Sequence, residues 1–167
     1  MGKATNYSPE ELLKMVEHVA YEIGRFRWAD QTLVQLRGEN MSEGQWHDAV
    51  LESWAVHLRI LADFFYAAPR QDDVTAGHFI KGWQAPAKSR LLAETERKAD
   101  KQLAHLTLAR AGEYGAGRKG WQCGQVAAEI EECVSLFLKG LTPALKSEFA
   151  KWGCLVETEY LTVEMTG

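Results

Sequence analysis

No run of about 18 or more consecutive apolar residues occurs anywhere in the chain, so nothing in it reads as a membrane-spanning helix. The opening stretch MGKATNYSPEELLK has no apolar signal core, which points away from secretion and toward the cytoplasm. Gly2 follows Met1, but Asn6 stands where a myristoylation signal needs Ser or Thr. Cysteine is scarce: Cys123, Cys133 and Cys154 form an odd set with no CxxC, which speaks against a disulfide framework or a zinc site. Buried thiols in a reducing compartment are the expectation. Proline is limited to four residues, and each falls where a helix starts or a connection turns.

Several motifs are missing as well. No GxSxG elbow is present and no cysteine has an evident histidine partner, so nucleophilic hydrolase chemistry has little support. A di-iron bundle needs Glu-x-x-His pairs, and none occurs. Glu43 and His47 are four apart and Glu52 and His57 five apart, and the second spacing turns the two side chains away from each other. The glycine-rich stretch Gly112–Gly120 follows no strand and lacks a GK[ST] ending, so it is a helix–helix connection and not a phosphate loop. No cofactor is expected.

What is present is helical periodicity. Ser8-Pro9-Glu10-Glu11 is a helix start: a capping hydroxyl, a proline at the first helical position and a glutamate to close the box. Leu12, Leu13, Val16, Val19, Ala20, Ile23 and Phe26 then recur at helical spacing, predicting a helix over about 9–36, bent near Gly24 and capped by Gly38. A second helix over 41–66, starting near Ser42 or Gln45, presents Val50, Leu51, Trp54, Ala55, Leu58, Leu61 and Phe65. Val56, Ile60 and Phe64 widen that face until the helix is apolar around its girth, as a central helix would be. His57 inside this run reads as a satisfied polar group and not a ligand. From Tyr66 to Pro86 runs a long connection with one short helical turn near Val74–Ile80, pinned to the core by Phe79 and Trp83.

Pro86 opens a third main helix, to about residue 111, with Leu92, Thr95, Ala99, Leu103 and Leu106 on one stripe. Trp121–Lys139 forms a fourth, with Val126, Ile130, Cys133, Val134, Phe137 and Leu138 inward. Thr142-Pro143 starts a short fifth, closed by Gly153. Residues 154–167 alternate and are β-branched, predicting a strand or extended arm. The expected architecture is all-α: one domain over 1–167, an up-and-down bundle of four to five helices with one long crossover.

Charge is unevenly placed. Between Lys81 and Lys119 stand nine basic and four acidic residues, a local excess of +5 in a chain of net charge −4. Such a segment offers a site for phosphate, RNA or an acidic protein, unless acidic neighbours in the fold neutralise it. Its centre is Arg97–Arg110, RKADKQLAHLTLAR, where Arg97, Lys101 and His105 follow at i, i+4 and i+8. Lys98, Lys101, Arg110, Arg118 and Lys119 are the candidate nucleic-acid or phosphate contacts.

The run LESWAVHLRILADFF, a long connection, and then RKADKQLAHLTLAR resemble the HEPN-type helical domains of bacteria, over about residues 45–110. The resemblance implies a homodimer whose Arg and His line a shared cleft and cleave RNA without metal. The histidine would move the 2′-hydroxyl proton and the arginine would hold the phosphate. Carried onto this chain, the catalytic pair is Arg97 and His105, with Asp100 at the polar position. The match departs from the pattern: seven residues separate Arg97 from His105, where the family has four to six. Lys98 has the family spacing but lacks the guanidinium fork. Arg97 and His105 also stand about 80° apart around an ideal helix. A degenerate, non-cleaving module is therefore favoured over an active ribonuclease. A helical protein-interaction scaffold with no RNA role is the third reading, with six tryptophans to serve it.

Overall fold

The computed structural model describes residues 7–39, 44–70, 72–100 and 121–154, and every regular element among them is a helix. These are α1 (Pro9–Gly38), α2 (Gln45–Tyr66), the one-turn α3 (Ala76–Phe79), α4 (Arg90–Ala99), α5 (Cys123–Gly140) and α6 (Pro143–Lys151). No strand occurs among the described residues. No helix among them is long and apolar enough to cross a membrane. The 154–167 arm, beyond Cys154, lies outside the described residues, as does the continuation of the third predicted helix past Asp100.

Local chemistry sets most helix limits. Ser8 accepts from the Glu11 amide while Glu11 accepts from the Ser8 amide, the reciprocal box that the sequence signals. Thr142 caps α6 ahead of Pro143, and Gly153 follows α6 at φ 68°, a left-handed conformation that favours glycine. Two expected limits move. α1 runs unbroken through Gly24, and its cap is Glu39, with Gly38 still helical. α4 begins at Arg90 and not at Pro86, because Ser89 rather than the proline supplies the capping oxygen, to the Leu92 amide at 3.0 Å.

α1 and α2 run antiparallel: Glu22 meets His57 and Asp30 meets Trp54, so positions rise on one helix as they fall on the other. Their facing residues, from Val16 to Leu36 on α1 and from Val50 to Phe65 on α2, join Leu92, Ala99 and the inward face of α5 in one core. All six residues assigned to the α5 core face are buried. The α2–α4 connection is pinned as expected. Phe79 is buried among Phe64, Phe137 and Phe149, and the Trp83 indole donates to the Phe65 carbonyl at 3.0 Å. α2 is less enclosed than its composition predicts: Val56 and Ile60 are 47% and 42% exposed. Neighbours cover only part of its circumference.

One polar tie closes the structure across a long stretch of chain. The Arg27 guanidinium donates to both carboxylate oxygens of Glu131, at 2.8 and 2.7 Å, and to the Cys154 carbonyl at 3.1 Å. A fork of this geometry fixes α1, α5 and the end of α6 relative to one another.

Candidate functional site

α4 carries the described part of the basic segment. Its inner stripe, Leu92, Thr95 and Ala99, is buried. Its start is latched from α5: Glu129 accepts from the Ser89 amide at 2.8 Å and from the Ser89 hydroxyl. The helix therefore projects its C-terminal end, with Arg97, Lys98 and Asp100, at a fixed place on the surface.

Arg97 is exposed. Lys98 is half-buried, its ammonium 4.4 Å from the centre of the Trp121 ring. Asp100, expected at the polar position of the RNA-cleaving motif, pairs with Arg59 of α2 at 2.7 Å. Lys101, His105, Arg110, Arg118 and Lys119 lie outside the described residues. Arg97 and Lys98 are thus placed at the end of one helix, and their relation to His105 is not part of the described structure.

Acidic neighbours answer much of the described positive charge. Lys88 pairs with Glu96 and Arg90 with Glu94, both at 2.6 Å. The Arg90 contact first, and the Arg97 charge in addition, hold the Glu94 carboxyl below its ordinary range. The outward face of α4 is therefore a ladder of alternating sign, Arg90–Glu94–Arg97, and not a purely basic stripe.

Behind Lys98 lies an arrangement that sequence patterning does not reveal. Trp121 stands edge-on to the buried Trp54 with ring centres 6.2 Å apart, and Trp54 in turn packs on Phe26. The Trp54 indole N–H donates to Asp30 Oδ1 at 3.2 Å. Burial pushes the Asp30 carboxyl above its ordinary range, while the indole bond opposes that shift. Cys123 lies close enough to feel the Asp30 charge, and burial together with that charge pushes its thiol up to about 11. The only signal for this cluster in the sequence is an aspartate on α1 between Phe26, Ala29 and Leu33.

Two histidines are engaged within the fold. The His57 imidazole donates to Glu22 at 2.6 Å and meets Tyr21 edge-on, as a satisfied histidine should. His78 Nδ1 accepts from the Thr75 amide at 3.0 Å and caps α3. Burial raises the Cys133 and Cys154 thiols too, so none of the three is an activated thiolate. Among the described residues, no group of three or more His, Cys, Asp or Glu is arranged to hold a metal ion.

Compared with family models, curated proteins and solved structures, the chain matches none.

Proposed function

We propose that this chain is a HEPN-like binding or regulatory module of the cytoplasm that holds RNA without cutting it. In this reading it is a homodimer built on an up-and-down bundle of four to five helices, with the α2–α4 connection as the long crossover. The observation that carries the reading is the Lys98 ammonium over the Trp121 ring beside the exposed Arg97. A phosphate is drawn to the two cations, and the partly exposed Trp121 ring supplies the aromatic surface that single-strand recognition uses for stacking. Two features support holding over cleaving. The cation at the family spacing from His105 is a lysine, which lacks the bidentate fork. Asp100, at the polar position, is engaged by Arg59.

The test is retention of a generic single-stranded RNA in EDTA, read for affinity and for length. Intact RNA bound with steep salt dependence is the expected result. Arg97→Glu and Lys98→Glu should each weaken binding by about tenfold or more, with no loss of fold in the case of the exposed Arg97. Shortened RNA, with shortening lost in His105→Ala, would establish the metal-independent ribonuclease instead. RNA ignored even at low salt leaves the interaction scaffold, or an acidic protein partner, in its place.

A further inference from the structure

α1 carries on its outer side a stripe that the described residues leave partly uncovered. Leu13, Tyr21 and Trp28 are 41%, 56% and 38% exposed, and Glu17 and Gly24 fall between them at helical spacing. Two further features mark this side of α1. The Arg25 guanidinium lies 4.6 Å from the centre of the Trp28 ring, yet its Nε is buried with no acceptor among the described residues. Gly24 sits in mid-helix, where glycine is unfavourable relative to alanine, although a Cβ built there would meet nothing within 4 Å. A glycine on an exposed helix face leaves room for the close approach of another backbone.

The stripe is complementary to itself. Glu17 and Arg25 stand four residues before and after Tyr21, and Lys14 and Trp28 stand seven before and after it. We propose that α1 pairs antiparallel with α1 of a second copy about a two-fold axis at Tyr21. That pairing is isologous. It sets Glu17 opposite Arg25 of the second copy, so a carboxylate faces a guanidinium on each side of the axis. It sets Lys14 opposite Trp28, a cation over an indole. Tyr21 meets its own copy, and Gly24 lets the backbones approach.

The inference rests on the homodimeric reading of the preceding section for its occupant, a second copy, but its surface is α1 and not the Arg–His cleft that the resemblance implies, and it uses no residue of α4. The test is sedimentation equilibrium of the full chain at tens of micromolar. Glu17→Arg and Arg25→Glu should each weaken the dimer by about tenfold or more, because each leaves like charges opposed. The double variant Glu17→Arg/Arg25→Glu swaps the charges and should restore the dimer to within a few fold of the original. Tyr21→Cys, which places a thiol on the axis, should give a disulfide-linked dimer on oxidation, and Gln125→Cys on the exposed side of α5 should not. A chain that stays monomeric overturns the proposal, as does a dimer indifferent to both reversals or a double variant as weak as the singles. RNA retention by the same variants reads the α4 site separately, so loss of one property with the other intact shows which reading has failed.

Discussion

The Trp54 indole donates to Asp30 Oδ1 at 3.2 Å, and through that bond a carboxylate is held against the most deeply buried aromatic residue of α2. The same indole is met edge-on by Trp121, whose ring carries Lys98. The interior of the α1–α2 pair is thereby connected, through two tryptophans, to the surface where α4 ends. A side chain at 30 and one at 98 share an environment, although nothing in the spacing of the sequence relates them.

The Asp30 carboxyl titrates above its ordinary range because burial penalises its charged form. A raised folded-state value means that the folded protein favours the protonated acid. That contribution to stability is complete below the ordinary Asp range and is lost as pH rises through the raised value. Asp30→Asn keeps an acceptor for the Trp54 indole and removes the charge. The variant should unfold at a higher temperature than the native chain at neutral pH, with the gap closing as pH falls to about 4. Thermal unfolding of both proteins across that range decides it, and a gap independent of pH would contradict the assignment.

The latch between Glu129 and Ser89 fixes the start of α4. Ser89→Ala removes both the cap to Leu92 and the hydroxyl that Glu129 accepts from. The cost should be about 1–2 kcal/mol, the upper part of the range for a lost helix cap. Glu129→Gln should cost less, since an amide oxygen still accepts one of the two bonds. Urea unfolding gives the magnitudes, and amide hydrogen exchange at Leu92 should speed up in Ser89→Ala ahead of the core of α5.

Cys123, Cys133 and Cys154 are buried and free, with thiols raised above their ordinary range by burial. Reaction with a disulfide reagent at pH 8 should be slow for all three in the native chain and fast in denaturant. Rapid native-state labelling of one cysteine, located by mass spectrometry, would show that its surroundings open more readily than their packing implies.

Much of the helical framework is written locally. Ser8-Pro9 with Glu11, and Thr142-Pro143 with Gly153, mark their helix ends because capping needs only residues three or four apart. Likewise Val126, Ile130, Cys133 and Phe137 declare the buried side of α5 through a period fixed by the helix itself. Those rules fail where the partner is distant in sequence. Pro86 looks like a helix start, yet α4 waits for Ser89, because a glutamate forty residues later holds that serine. Val56 and Ile60 look like core, yet they are 47% and 42% exposed. Lys88 and Arg90 of the basic segment look like anion contacts, yet Glu96 and Glu94 already pair with them.

By itself, then, the sequence determined that this chain is helical, roughly where its helices begin and end, and which side of each one is apolar, since all three follow from interactions within a few turns. Only the tertiary structure decided that Asp30 sits under Trp54, that Arg27 ties Glu131 to the Cys154 carbonyl, and that Lys98 rests on Trp121. Those pairings depend on how helices cross in space, and the geometry of crossing is set by the whole packed core rather than by any one segment of the chain.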